Sequence, residues 1–478
     1  MTADEVPFPE VPGDEHGGPL YERIAETIAD GIAAGRLSAG DRLPTHRALA
    51  GQLGVAVPTV TRAYKEAERR GLVSSTVGRG TFVTGIPALR APAGSGADGR
   101  PHRLDLSVNG PARGDHERLL REALAAAATG ADLSALLGYE ADIGGYADRV
   151  TAVGWLARSR VSVDPDQVAI CHGGQHAILV ALGAVLRPGG VLLTESLTYP
   201  GVKSAARLLD VHVVGVEMDD EGIIPAALDA ACSSGRTRPT ALYCMPTAHN
   251  PMAITLSAQR RDEIVEIARR RDLQVIEDDV FGLLVPEASR PAPLAMLAPE
   301  RTVYLTSLSK TLTPGLRWGA VAGPAQLTDR LGALIRASIF NPAPVAVDIA
   351  RRWLSDGTAD RLLAWQRAEM GTRFAAAHRL LGACTAVRSI RTAGLHAWVK
   401  LHDPWTPPEV VDLGRRLDIE ISHTAYFHAG AESGTREITR GVRLCLGNAP
   451  DLATLTEAIA RLAEALDRGP TWSSGTRV

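Results

Sequence analysis

Two different spacings of apolar residues divide this chain. Near the N-terminus the spacing is helical: in PLYERIAETIADGIAAG, Leu20, Ile24, Ile28 and Ile32 fall on one stripe, and Gly35 ends the run. Thr45 can cap a second helix that turns Leu49 and Leu53 inward before Gly54. Pro58 stands at the start of a third, TVTRAYKEAERRG. Its inner face is Val60, Tyr64 and Ala67; Thr59, Arg62, Lys65, Glu66, Arg69 and Arg70 stay polar. Two short helices joined by a tight glycine-containing turn make a helix-turn-helix pattern. LVSSTVGRGTFV then reads as two strands around a tip, Val77-Gly78-Arg79-Gly80.

From Leu104 the pattern changes to short apolar strands alternating with helices. LDLSVNGP is a strand and turn, and HERLLREALAAAA and GYADRVTAVGWLARS are helical. VAIC, GVLLTE, DVHVVGVEM, TALYCM, DLQVIE and TVYLTS read as strands. This alternation predicts an α/β fold, a mostly parallel sheet covered by helices, with ligands gathered at the carboxyl ends of its strands. From about Pro344 a smaller α+β C-terminal domain is expected. It has two amphipathic helices within DIARRWLSDGTADRLLAWQRAEMGTRFAAAHRLL, strands HAWVKL and GVRLCLG, and a last helix LATLTEAIARLAEAL. Lys400 is expected to be exposed at a strand end. The organisation follows: a disordered tail over 1–17, a helix-turn-helix domain over 18–84, and a Pro/Gly/Ala-rich linker over 85–103. A large domain covers 104–345, the small domain 346–467, and a tail 468–478.

Composition sharpens this. At 478 residues, 45% apolar and 22% charged, the chain is long enough for several domains with a sizeable core. The net charge of −3 hides a local contrast. Residues 1–35 carry eight acids and one base, while residues 36–84 carry eight bases and three acids. A basic block of that kind points to a polyanion. Thr59 and Arg62 lie near the start of the third helix, where such a helix meets base edges. Arg47 can reach phosphates, and Arg79 on its thin tip can enter the minor groove or touch backbone. The five cysteines are scattered, without CxxC spacing, which favours a reducing cytoplasm and no metal site. The acidic, Pro-rich start is no signal peptide, and the longest apolar run, Ala177–Leu186, is too short to cross a membrane.

The lysines are the sharpest chemical signal. There are four, Lys65, Lys203, Lys310 and Lys400, against 47 arginines. Arginine stays charged, whereas a desolvated lysine can lose its proton and attack a carbonyl. Lys310 follows a buried strand, with Ser307 and Ser309 beside it and Arg317 seven residues on. An amine for an aldehyde plus hydroxyls and a guanidinium for a phosphate suit pyridoxal 5'-phosphate. Other strand ends carry polar residues in order. Gly173-Gly174-Gln175 before a helix offers amides to a phosphate, or simply turns the chain. Tyr199 can lay a ring on a flat cofactor or fill a gap. Asn250 can bond a ring hydroxyl or build a turn. Asp278 can pair with a pyridinium N–H or cap a helix.

Residues 18–84, above all RLPTHRALAGQLGVAVPTVTRAY and VGRGTFV, resemble the winged helix-turn-helix of GntR-type bacterial regulators. That family usually carries Ser-Arg in the turn; here Ala56-Val57 stand there. Residues 104–467 resemble fold-type I aminotransferases. The resemblance implies that Lys310 bears the cofactor, Asp278 partners the pyridine nitrogen, Asn250 lies beside the ring oxygen, and Tyr199 stacks on the ring. It further implies that Gly174, Gln175, Ser307 and Arg317 hold the phosphate, that Tyr139 reaches the phosphate of a neighbouring subunit, and that Arg443 clamps an α-carboxylate. The tyrosine usual just after the aspartate is missing; Val280 and Phe281 occupy those positions. Together the two parts resemble the MocR subfamily. That implies a homodimeric regulator of double-stranded DNA answering to an amine, an amino acid or the cofactor itself. The rival expectation is an aminotransferase with a fused DNA-binding domain.

Overall fold

The computed structural model describes residues 8, 19–33, 37, 41–69, 72–76, 80–83, 104–129, 133–233, 238–422, 424–429 and 440–469. The linker over 85–103, Arg79, all but Phe8 of residues 1–17, and residues 470–478 lie outside them. The chain forms two compact units, Met1–His102 and Arg103–Val478.

Among its described residues the first unit holds three helices, α1 (Leu20–Ala33), α2 (His46–Leu53) and α3 (Val57–Arg69), and a hairpin of β1 (Val73–Thr76) and β2 (Gly80–Val83). Ile24, Ile28, Leu49, Val60, Ala63, Tyr64 and Ala67 close a core between the helices, and Val73 and Val83 bring the hairpin onto it. Phe8 also packs there. Helix α2 begins where Thr45 accepts a bond from the Ala48 amide (3.2 Å) and ends at Gly54, whose φ of 64° only a residue without Cβ adopts freely. That glycine sets the sharp turn into α3. Tyr64 then ties α3 back by donating to the Pro44 carbonyl (2.7 Å).

The second unit is built on a seven-stranded sheet: β3 (Val168–His172), β4 (Val191–Glu195), β5 (His212–Val216), β6 (Ala241–Cys244), β7 (Gln274–Asp278), β8 (Thr302–Ser307) and β9 (Trp318–Ala322). The spatial order is β3-β9-β8-β7-β6-β4-β5. Neighbours are parallel except at β9, which runs antiparallel to both β8 and β3. Strands β4, β6, β8 and β9 are buried throughout, as expected of a sheet covered on both faces. A second, antiparallel sheet joins β10 (Val387–Ala393), β11 (His396–Leu401) and β12 (Gly441–Cys445). The segment Leu104–Asp105 pairs with Ile419–Glu420, so the start of this unit lies beside its C-terminal part.

Lys400 corrects the sequence expectation. It is 8% exposed on β11, the middle strand of the second sheet, where every residue is buried. Its ammonium reaches Asp220 at 2.5 Å, which is how a buried strand accommodates a lysine.

Candidate functional site

The strand ends bring the expected residues together. Strand β8 runs directly into a single helical turn, Leu308–Thr311, and Lys310 projects from it. Its Nζ donates to the Asn109 carbonyl at 2.5 Å. Desolvation brings its pKa down to about 8, so about a tenth of the amine is neutral at pH 7. Asp278, Arg317 and Arg443 all lie close enough to act electrostatically on this amine.

Asp278 ends β7 and is 2% exposed. It accepts from the Tyr243 hydroxyl (2.6 Å) and the Val280 amide (3.3 Å). Burial raises its pKa to about 6, against the opposing effect of those bonds. Tyr243 is a site residue that sequence reasoning missed. Its signal was one polar tip in the apolar strand TALYCM; register pairs it with Ile276, on the face of β7 that Asp278 shares.

On the opposite side, Gly173 opens the helix Gly173–Val185 with φ 77°. A Cβ there would stand 2.6 Å from Arg317 Nη2, so glycine is required for the guanidinium to lie across the helix N-terminus. Arg317 itself donates to the His172 carbonyl at 3.3 Å. Tyr199, half-buried, donates to Gln175 Oε1 (3.1 Å), and Gln175 Nε2 donates to the Gly201 carbonyl (2.9 Å). A Cβ on Gly201 would sit 2.1 Å from Gln175 Oε1 and 2.2 Å from the Tyr199 ring. Ser307 is 1% exposed. Its hydroxyl accepts from the Ser309 amide (3.1 Å) and lies 2.9 Å from the Trp318 carbonyl, so in this structure it braces the lysine turn.

Arg443, on β12, is 6% exposed. It donates to Asn250 Oδ1 (2.6 Å), Ser422 Oγ (2.8 Å) and the Ser107 carbonyl, and its guanidinium lies 4.7 Å over the Phe427 ring. Its Nε has no partner, and no acidic side chain pairs with it among the described residues. The site therefore holds a cation bound by neutral groups, which a carboxylate would complete. Ser422, Phe427 and Asn109 were also missed; none carries a local sequence signal, because each is defined only by what folds against it. Val280 and Phe281, 8% and 1% exposed, offer no hydroxyl to the site.

Tyr139 lies apart from this group. It is 85% exposed, its ring 4.7 Å from that of Phe340. In the first unit Arg47 is exposed and Thr59 half-buried. Arg62 is exposed but its guanidinium stacks over Tyr21, 4.5 Å from the ring centroid. Among the described residues no helix is long and apolar enough to cross a membrane, and no group of three or more His, Cys, Asp or Glu is placed to hold a metal ion.

The donor set fits pyridoxal 5'-phosphate. A partly neutral amine, a buried carboxylate without a paired cation, and a guanidinium across a helix N-terminus kept clear by glycine match its aldehyde, ring nitrogen and phosphate.

Comparison with known proteins agrees. Residues 101–462 match the family described as Aminotransferase class I and II, and residues 20–83 match Bacterial regulatory proteins, gntR family. The chain is similar to the uncharacterized HTH-type transcriptional regulator YdeF of Bacillus subtilis, 28% identical over 89% of this chain and 90% of that one. It is also similar to the HTH-type transcriptional regulator TauR of Rhodobacter capsulatus, 29% identical over 73% of this chain and 77% of the other. Among solved structures, a Pyrococcus horikoshii kynurenine aminotransferase shares the fold of the second unit. Its TM-score is 0.70 at 22% identity, covering 77% of this chain and 91% of that one. The chain belongs to the pyridoxal 5'-phosphate-dependent class I and II aminotransferase family, and within it to the MocR subfamily of GntR-type transcriptional regulators, in which a winged helix-turn-helix is joined to an aminotransferase-like domain.

Proposed function

We propose that this chain is a cytoplasmic, homodimeric regulator whose aminotransferase-like unit senses a small amino acid or amine and alters the hold of the winged helix-turn-helix on DNA. The observation that carries this reading is Arg443. A buried guanidinium held only by neutral groups, in the same pocket as Lys310, is a receptor for a carboxylate beside an amine. When bound, the cofactor supplies an aldehyde and an electron-withdrawing ring. Lys310 anchors it, Asp278 holds the ring nitrogen, and Arg317, Gly174 and Gln175 take the phosphate. Tyr199 covers the ring. The ligand can shift DNA affinity only by its own difference in affinity for the two states of the protein.

The exposed apolar side chains Leu133, Leu137, Tyr139, Phe340 and Val345 support the homodimer. Tyr139 and Phe340 are in ring contact at 4.7 Å, and a second copy covering them would bring Tyr139 toward its neighbour's phosphate.

The alternative is an aminotransferase with an appended DNA-binding domain. The retained Lys310 and Asp278 favour it, and the missing hydroxyl at Val280 and Phe281 counts against it.

The test is titration of a labelled duplex from upstream of the protein's own gene, at fixed salt, with and without pyridoxal phosphate and then the common amino acids. The expected result is specific binding that the cofactor or an amino acid changes at least fivefold, and that Lys310→Ala renders indifferent to the cofactor. Steady transamination by the wild type, with DNA binding unaffected by any ligand, would establish the alternative.

A further inference from the structure

Resting on the reading of Arg443 as a carboxylate receptor, we infer that Lys203 is a positioning residue that builds that receptor. Lys203 lies four residues after Tyr199, on the helix Pro200–Leu208 that Tyr199 begins. Its Nζ donates to two backbone carbonyls, Tyr426 and His428, each at 2.6 Å. Between those two carbonyls in sequence stands Phe427, the ring beneath the Arg443 guanidinium. One ammonium thus grips the chain on both sides of the residue that floors the arginine.

The rest of the strap is fixed to the same part of the sheet. The Thr198 amide donates to the Phe427 carbonyl (2.7 Å) and the Ala429 amide to the Ser196 carbonyl (2.9 Å). Gly215 leaves room for it: a Cβ there would stand 2.2 Å from the Ala429 carbonyl oxygen. Phe427 enters a small apolar cluster with Leu197, Met218, Met252, Ile254 and Trp398. Trp398 pairs in register with Arg443 itself. Ammonium geometry explains a lysine here in a chain that otherwise uses arginine: three divergent donors on a compact head reach two carbonyls that flank one residue.

The consequence concerns ligand class. The helix that starts with Tyr199 touches the cofactor side of the pocket, and its lysine sets the floor of the carboxylate side. Lys203 therefore favours ligands with a carboxylate over the same amine without one. It acts through Phe427 and Arg443 and touches no ligand.

The experiment uses the full chain loaded with pyridoxal phosphate. Dissociation constants are measured from cofactor absorbance for the common amino acids, and the tightest is compared with its decarboxylated amine. Lys203→Met is expected to weaken the amino acid at least tenfold and the amine less than threefold, with cofactor retained. Lys203→Arg, which keeps charged donors but not the compact head that reaches both carbonyls, is expected to recover only part of the loss. Phe427→Leu, which keeps the apolar bulk, should reproduce the selective loss and serves if Lys203→Met does not fold. Equal losses for acid and amine, or no loss for either, would overturn the inference while leaving the Arg443 reading intact. A wild type that binds the amine as tightly as the amino acid would overturn the Arg443 reading, and the inference with it.

Discussion

The end of β7 places three acids in a row, and the two faces of the sheet treat them differently. Alternation sends Glu277 and Asp279 to one face and Asp278 to the other. Glu277 accepts from the amides of Leu294 (3.1 Å) and Ala295 (2.8 Å). Asp279 accepts from the Tyr304 hydroxyl (2.6 Å) and lies near Arg261 and Arg290. Arg261, 0% exposed, donates to the carbonyls of Leu256, Ala292 and Pro246 and to Thr247 Oγ1, and its charge opposes those of Glu277 and Asp279. On the other face Asp278 has a tyrosine hydroxyl and one amide, with no cation bonded to it. The first face is finished in charge by the protein's own arginines, although Asp279 Oδ1 accepts no hydrogen bond; the second, in the proposed reading, is finished in charge by a cationic ring nitrogen. Adjacent residues of one type thus separate into scaffold and receptor by which side of a strand they face.

The comparison breaks most visibly at Arg261. Arg261→Met removes the buried cation that acts on both acids and takes one hydrogen bond from each of four acceptors, of which the Pro246 carbonyl keeps the Leu256 amide. Loss of one partner from a buried ionic group costs about 3–5 kcal/mol. Denaturant unfolding of the second unit should show a loss of that size. A loss under about 1 kcal/mol would mean that Glu277 and Asp279 do not depend on Arg261 for their charge balance, and the face would not be finished in the sense argued.

Asp278→Asn should behave in the opposite way. Folding raises the Asp278 pKa from its ordinary value of 3.8 to about 6, so the folded state disfavours its charge. The native protein then binds more protons than the unfolded chain between those values. Stability is full below about pH 4, falls as pH rises toward 6, and stays reduced above it. The reduction amounts to up to about 3 kcal/mol. The cofactor-free Asn variant lacks that penalty and should be more stable than the wild type above pH 6, and no more stable at pH 4. Its affinity for pyridoxal phosphate should fall at least tenfold by equilibrium dialysis. Reduced stability at pH 7 together with unchanged cofactor affinity would place Asp278 with its neighbours as scaffold.

That contrast also marks what the sequence could and could not show. The helical stripe, the strand-helix alternation and the lysine after a buried strand were legible because each is a local pattern. The orientation of each acid in Glu277-Asp278-Asp279 was not, since it depends on which face of β7 the pocket occupies. Strand β9 went unassigned because RWGAVAG is short and contains glycine. Gly319 is required there, for a Cβ would stand 2.8 Å from the Gly173 carbonyl carbon, a contact made across the sheet. Lys400 was misplaced because its partner Asp220 lies 180 residues away. Asn250 and Arg443 were each found, but their bond spans 193 residues, and no spacing rule connects them.

The smallest expected effects lie on the surface of the first unit, where Arg47 and Arg62 repeat the contrast in mild form. Arg47 is exposed in α2, and among the described residues no acidic side chain pairs with it. Arg62 is held against the Tyr21 ring, which orients its guanidinium before any contact the proposed reading gives it with DNA. Arg47→Ala should weaken specific and random duplexes alike, by several-fold at physiological salt, and lower the slope of log affinity against log salt by about 1. Arg62→Ala should also remove a cation–π contact worth roughly 0.5–1 kcal/mol at an exposed site, which thermal unfolding of the first unit would register. Its loss of affinity should be greater for the specific duplex, because a guanidinium already oriented near the start of α3 contributes to base reading and not only to charge. Salt slopes measured on both variants with both duplexes separate the two roles. If Arg62→Ala lowers both affinities equally and changes the slope as Arg47→Ala does, the stacked arginine is a phosphate contact, and sequence reading falls to Thr59 and the exposed start of α3.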